Sequence, residues 1–284
     1  MRDGGPARGI EGAMTRVYDV FVDWPGRLAR ELPGIERLLA SVGARRVLDL
    51  GCGTGKHVEA LLARGYDAHG ADASEDMLAQ ARAALGPAAA AERLHRWRLG
   101  EPAPALLAGS PRFDAAISLG NTWPFLVEER DARAAIDALH ELVRPGGLLL
   151  LGLKALEVRR RSQNPYLPLL RRVHEDRPLW FVRFVDFVEP PLADAVRVAE
   201  MHMAVLAGDA AVADERGECE ALLHRASRLR SWDVEELRAW LAARGLEQVR
   251  VSGRIDDPDA PATSEDVFAS ARFAGGTTRS HTAP

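Results

Sequence analysis

Asp49-Leu50-Gly51-Cys52-Gly53-Thr54-Gly55 sets a carboxylate at the end of a short apolar run and follows it with three glycines at alternate positions. Such glycines let the chain turn sharply and let a ligand approach the backbone with no Cβ in the way. A dinucleotide-phosphate loop spaces its glycines G-x-G-x-x-G, whereas here they run G-x-G-x-G. An acid two residues before the first glycine would repel a pyrophosphate and favour a ligand that carries positive charge. Asp72 ends a second strand-like run, residues 66–71, where a carboxylate can accept hydrogen bonds from both hydroxyls of a ribose. No His, Cys and Asp residues show metal-ligand spacing, so no metal is expected.

A strand, a tight loop and a helix are the elements that must hold this set. Val58, Leu61 and Leu62 give the helix after the loop one apolar face. A helix over 28–41 precedes it, and the alternation continues downstream. Ser74 N-caps a helix over 74–85 with Met77, Leu78 and Ala81 inward, which Pro87 and an alanine run end. Residues 93–99 read as strand three and 113–119 as strand four. A helix over 128–143 turns Ile136, Leu139 and Leu142 inward and stops at Arg144-Pro145-Gly146-Gly147. The continuous apolar run 148–153 suits a strand buried on both faces. Five strands joined by helices imply an α/β, doubly wound parallel sheet whose ligand lies beyond the carboxyl ends of the strands. Asp49, Asp72, Asn121 and Lys154 fall at those ends. Residues 155–231 break the pattern. Runs at 180–188, 196–206 and 220–229, with turns near Gly208-Asp209 and Glu215-Arg216-Gly217, predict three antiparallel strands inserted as a cap. A helix over 233–244, stopped by Gly245, and strands at 246–251 and 265–273 complete the chain.

The acid, the three spaced glycines and the second acid together resemble the class I S-adenosylmethionine-dependent methyltransferases. The resemblance runs over about residues 15–274 and rests on their first motif, Asp49 to Gly55, and their ribose acid, Asp72. S-adenosylmethionine brings both an ammonium and a sulfonium, the positive charge that Asp49 favours. The resemblance implies a Rossmann-like seven-stranded sheet with its last strand antiparallel. It also implies a cofactor set of Asp49, Gly51, Cys52, Gly53, Gly55, Asp72, Ala73, Met77, Glu101 and Leu119. Glu101 would take the adenine amino group and Met77 would touch the ring. The segment before the first motif often folds over the cofactor in this family, which makes Tyr18, Trp24 and Arg27 lid candidates, Arg27 for the cofactor carboxylate. Residues 120–126, the Arg-Pro-Gly-Gly turn, the run into Lys154 and the insertion look like glycine/sarcosine and amino-sugar N-methyltransferases. Asn121 matches their carboxylate-binding asparagine. Lys154 stands where the glycine enzymes carry an arginine, and their His-Arg-Asn-Tyr run is absent, which points to small polar acceptors other than glycine.

An amine must lose a proton before it can attack, so a base helps, and the candidates are His202, His140 and Tyr18. Asn121 is also placed among the catalytic residues, and Asn121, Trp123 and Lys154 form the expected acceptor site. Arg159-Arg160-Arg161 could draw an anionic substrate. The expected activity is methyl transfer to a small polar acceptor, nitrogen favoured. Alternatives are an O-methyltransferase and a non-catalytic cofactor-binding protein. A net charge of −4 over 284 residues gives no sign of a nucleic-acid partner. No apolar run approaches the ~20 residues that span a bilayer, so no membrane partner is expected. Two cysteines, Cys52 and Cys219, are too few for a disulfide framework, which suggests a cytoplasmic enzyme. The expected organisation is a flexible leader at 1–13 and a cofactor-binding core with its lid at 14–154. A cap at 155–231, completion of the sheet at 232–274 and a disordered tail at 275–284 follow. The sequence leaves the oligomeric state open.

Overall fold

The computed structural model describes residues 15, 17–188, 196–208, 220–262 and 266–275. The leader expected at 1–13, Cys219, the turn at 215–217 and nearly all of the expected tail lie outside the described residues.

A short helix α1 (residues 17–21) leads into α2 (Trp24–Ala40), whose N-cap Asp23 accepts a hydrogen bond from Gly26 N. The α/β alternation follows as β1 (Arg46–Leu50), α3 (Lys56–Leu62), β2 (Asp67–Asp72), α4 (Glu75–Leu85), α5 (Pro87–Arg93), β3 (Leu94–Arg96), α6 (Ala105–Ala108) and β4 (Phe113–Ser118). A single 3₁₀ turn (Trp123–Phe125), α7 (Glu129–Leu142) and β5 (Val143–Lys154) come next. After α8 (Leu156–Arg161) stand β6 (Leu170–His174), β7 (Arg177–Val188), β8 (Val198–Ala207) and β9 (Glu220–Arg230). The chain returns through α9 (Val234–Ala242) to β10 (Leu246–Ser252) and β11 (Asp266–Phe273).

Seven strands form one sheet in the order β10-β11-β5-β4-β1-β2-β3, parallel except for β11. Leu148 and Leu150 face the α2–α3–α4 layer, and Leu149, Leu151 and Leu153 face the α7–α9 layer. Strand β5 is therefore a run of leucines because both of its faces are core. It starts earlier than expected, at Val143, which pairs with Phe113. The Arg-Pro-Gly-Gly segment is the bulge between that pair and Leu148↔Ala115. Pro87 does not merely end α4. Gly86 at φ 80° breaks the chain, and Pro87 opens a second helix from its first position.

The insertion holds four strands, not three, in the order β6-β7-β8-β9. The extra edge strand hangs on a two-residue hairpin at Glu175-Asp176, with φ +49° and +60°. Such turns usually signal themselves through Asn-Gly or Asp-Gly, and Glu-Asp gives no such sign. One face of this sheet is apolar. Phe181, Val205, Ala207 and Leu223 pack there against Val17, Tyr18, Val20 and Phe21 from α1. Further along, Val185, Ala199 and Leu229 meet Leu156 and Leu167.

Candidate active site

The glycine loop leaves β1 leaning on its neighbour, since Gly51 N and Cys52 N both donate to Ala71 O at 2.7 and 3.1 Å. Gly51 sits at φ +69°, and a Cβ there would lie 2.1 Å from Thr122 Oγ1, so both conformation and space demand glycine. Cys52 points the other way. Its Sγ packs into the core beside Gly70, and burial pushes the thiol well above its ordinary range. The cysteine of the expected cofactor set can therefore offer a ligand only its backbone.

The two acids differ in their surroundings. Asp72 is half-buried, and its Oδ2 accepts from Gly53 N and its Oδ1 from Ser74 N, each at 2.8 Å. Both bonds orient the carboxylate, and each oxygen keeps acceptor capacity for a hydroxyl. Asp49 is 2% exposed, and its Oδ2 has no hydrogen-bond partner among the described residues. Burial pushes it up to about 6, with His57 and Arg27 opposing and Asp72 and Glu31 adding to the rise. A buried carboxylate with an open acceptor is the counterpart of a cationic ligand.

Helices α1 and α2 close this corner. Tyr18 Cε1 would stand 3.7 Å from a Cβ on Gly53, which lays the ring over the loop. Desolvation raises the Tyr18 phenol, Arg27 opposes, and Asp72, Asp19 and Asp49 add to the rise. Asp19 Oδ1 accepts from Thr54 Oγ1 at 2.7 Å and Trp24 Nε1 at 2.8 Å, tying α1 and α2 to the loop through one oxygen. Arg27 donates to Leu119 O at 2.6 Å and to Glu31 Oε1 at 3.0 Å. Glu31 Oε2 lies 2.8 Å from Nε2 of the buried His57, which stands edge-on to Trp24. Burial alone would raise Glu31, but His57 and Arg27 outweigh it and hold the carboxyl low. Sequence reading missed Asp19, Glu31 and His57. The only sign was the Arg27–Glu31 spacing of four on a helix.

Ala73 and Met77 are half-buried where β2 gives way to α4, beside the Ser74 cap, whose Oγ accepts from Met77 N at 3.4 Å. Glu101 is on the surface, its side chain 63% exposed and its Oε1 3.7 Å from Arg98 Nε. That exposure does not fit an adenine contact. Asn121 sits at φ +61° and stitches two strand tips together. Its Oδ1 accepts from Lys154 N at 2.8 Å, and its own N–H donates to Gly152 O at 3.3 Å. The Lys154 ammonium is bound by Asp266, its register partner on β11.

Trp123 is fully buried in the core, edge-on to Trp240, and cannot line an acceptor site as expected. His202 is displaced as well. Alternation along β8 puts Met201, Met203 and Val205 on the face toward α1 and His202 on the opposite one. There it stacks between Phe184 at 4.5 Å and His224 at 5.7 Å, with Nε2 3.2 Å from Asp186 Oδ2. It cannot act as a base at a cleft on the other side of its sheet. His140 meets Arg244 O at 2.8 Å, tying α7 to the end of α9. The arginine run is engaged by neighbouring groups: Arg159 donates to Tyr166 O, Arg160 to Glu157 and the exposed Arg161 to Asp233. Among the described residues no group of His, Cys, Asp and Glu side chains could hold a metal ion. None of the described helices is long and apolar enough to cross a membrane.

Residues 47–147 match the family described as methyltransferase domain. A glycine/sarcosine N-methyltransferase from Parasynechococcus marenigrum (strain WH8102) is 36% identical over 148 residues, 48% of each chain. The chain spans about half the length of the curated relatives it matches. A sugar N-methyltransferase from Streptoalloteichus sp. ATCC 53650 superposes with a TM-score of 0.67 at 20% identity, over 96% of this chain and 97% of that one. An amino pentose methyltransferase from Micromonospora echinaspora, solved with S-adenosylmethionine bound, gives 0.62 at 23% identity over 95% and 100%. The fold is that of these S-adenosylmethionine-dependent methyltransferases, and residues 47–147 match a methyltransferase domain, the stretch that holds the motif at Asp49 to Gly55.

Proposed function

We propose that the protein moves the methyl group of S-adenosylmethionine to a nitrogen of a small polar acceptor. The observation that carries this reading is the pair Asp49 and Asp72 on adjacent strand ends flanking a left-handed glycine loop, with Asp49 buried and its Oδ2 unpartnered. Asp49 would hold the cofactor ammonium, Asp72 the ribose hydroxyls, the backbone of Gly51 to Gly55 the body between them, and Arg27 the carboxylate. The cofactor supplies an electrophilic methyl on a sulfonium, and the protein has to align the acceptor and keep water out.

Tyr18 serves that second task. A phenol is protonated at neutral pH and burial raises this one further, so Tyr18 covers the loop and does not take a proton. Acceptor contacts are assigned to the face of the second sheet that looks toward α1. Arg183, Met203 and Arg225 stand there in one register row, with the Arg183 guanidinium 4.9 Å over Phe21. Asn121 adds an amide at the tip of β4. Lys154 takes part only if an acceptor can share it with Asp266. That the 36% identical relative is a glycine/sarcosine N-methyltransferase supports nitrogen as the acceptor atom.

Calorimetry on the full chain tests the cofactor. S-adenosylhomocysteine should bind and NAD should not. Asp72→Ala should weaken S-adenosylhomocysteine about tenfold or more, from the loss of ~1.5–3 kcal/mol of charge-assisted hydrogen bonds. Unchanged affinity in a folded Asp72→Ala protein would remove the cofactor assignment. Transfer from labelled S-adenosylmethionine to a panel of small amines and matched alcohols tests the acceptor, and turnover confined to the alcohols would refute the nitrogen reading.

A further inference from the structure

The side of the sheet that lies beyond β5 from the glycine loop holds a second feature of binding character. A cavity of about 270 Å³ opens between α2 and the exposed margin of β5, β11 and β10. Its floor includes Leu38 and Phe268, and its rim carries Arg37, Arg250 and Arg272 with Gln248 and Ser270. In the sheet register Arg272 pairs with Leu148, at the opposite end of β5 from Lys154 and the strand tips. Phe268 pairs with Gly152, so the cavity runs along β11, and it shares no lining residue with the site already described.

Three arginines on one small cavity usually bring carboxylates with them. Here none of the three has a carboxylate at ion-pair distance among the described residues. Arg37 spends two N–H groups on the backbone carbonyls of Ile255 and Asp256, at 2.9 and 2.6 Å, while the Asp256 carboxylate is taken by Arg254. Arg272 Nη2 donates to Ser41 Oγ at 3.0 Å, and its Nη1 is buried with no partner. Desolvation lowers Arg272, and the positive charges of Arg144 and Arg250 lower it further. A guanidinium surrounded by like charge, with a buried unused donor, is a group built to be neutralised from outside. The backbone is bent at the same place. Strand β10 carries a bulge between Glu247 and Arg250, with Gln248 at φ +52°, a conformation a non-glycine residue rarely keeps. The bulge turns Gln248 and Arg250 onto the rim.

We infer that this cavity binds a small phosphate monoester with an apolar body, its dianion held by Arg250, Arg272 and Arg37 and its body on Leu38 and Phe268. Two charges suit three guanidiniums better than the single charge of a carboxylate does, and guanidinium forks match phosphate oxygens. The apolar floor would be idle under inorganic phosphate alone.

The test is calorimetry on the full chain at low ionic strength with phenyl phosphate, inorganic phosphate and benzoate. Phenyl phosphate should bind saturably at one site, more tightly than either of the others, and weaken as salt is added. Arg250→Gln, on an exposed edge where folding is not at stake, and Arg272→Gln should each weaken it about tenfold, one charge-assisted hydrogen bond. S-adenosylhomocysteine affinity should be unchanged in both. No saturable heat up to the order of 10 mM ligand, equal affinity in both variants, or competition with S-adenosylhomocysteine would each overturn the site. Benzoate binding as tightly as phenyl phosphate would overturn the choice of a dianion. Because the readout is phosphate binding, the result stands apart from that of the cofactor experiment.

Discussion

Two clusters of charge in the interior are built on opposite terms. Glu129, at the start of α7, accepts from Arg230 at 2.8 Å, Arg133 at 2.8 Å, Trp240 at 3.0 Å, and from Arg244. Burial alone would raise it, yet those donors hold it at about 2. Arg230 passes the connection to Glu236 at 3.1 Å, Arg197 meets Glu236 at 2.6 Å, and Ser231 donates to Glu157 at 2.7 Å. The cluster fastens the end of the second sheet to α7, α8 and α9. Around Asp49 an acid is more deeply enclosed yet left short of a partner, and it rises to about 6. A saturated buried charge sets position; an unsaturated one waits for a ligand. The contrast separates what holds the second sheet in place from what is proposed to bind the cofactor.

Breaking the saturated cluster should cost the most stability. Glu129→Gln leaves Arg230, 5% exposed at its side chain, without its main counter-charge. Removing one partner of a buried pair costs ~3–5 kcal/mol. Glu129 is itself 33% exposed, so solvent reduces this to about 2–3 kcal/mol. Chemical denaturation should show the loss, while S-adenosylhomocysteine affinity of the folded protein stays unchanged. A drop in that affinity without a drop in stability would reverse the roles assigned to the two clusters.

Asp49→Asn should do the opposite. It removes the partner for the ammonium, so cofactor affinity should fall about tenfold to a hundredfold. Stability should rise at neutral pH. A folded pKa near 6 against an ordinary 3.8 means the native state prefers the protonated acid. The contribution of the wild-type group is complete below about 3.8 and is lost as pH rises through about 6, on the order of 2–3 kcal/mol. The gain from asparagine should therefore be present at pH 7.5 and vanish near pH 4. Wild-type affinity for S-adenosylhomocysteine should fall as pH drops below about 6, and that dependence should be absent in Asp49→Asn. A variant that is no more stable at pH 7.5 would mean that Asp49 is not an unpaired charge.

This contrast was only half legible in the sequence. The glycine loop, both acids and the strand ends could be read, because acid-glycine spacing and apolar runs are local patterns. Asp19, Glu31 and His57 could not, since their meaning comes from α1, α2 and α3 meeting over the loop. Trp123 and His202 were misread for a related reason. A strand-tip tryptophan and a lone histidine among methionines look functional until packing shows which face is covered. Likewise β6 was hidden because its hairpin turn uses Glu175-Asp176, which lacks the glycine that marks most such turns.

The smallest effect expected comes from a third enclosed cluster, His69 on β2 and His95 on β3. Their rings stack at 9° with Nδ1 and Nε2 3.3 Å apart, and Phe113 stands edge-on to His69. Burial lowers His69 to about 4, and Arg46, His95 and Arg93 outweigh the pull of Asp67. His95 is lowered by burial and by Arg46. A folded pKa below the unfolded value near 6.5 means the unfolded chain gains protons first on acidification. The contribution is full above about 6.5 and is lost as pH falls toward about 4, the reverse of Asp49. Because the two act against each other over the same interval, the wild-type profile should be shallow there. The slope should appear once Asp49 is neutralised. Between pH 7.0 and 5.5 the Asp49→Asn protein should lose about 1 kcal/mol of stability to the histidines, and adding His69→Phe should remove much of that loss. Equal pH slopes with and without His69 would show that the pair is not held neutral by its burial.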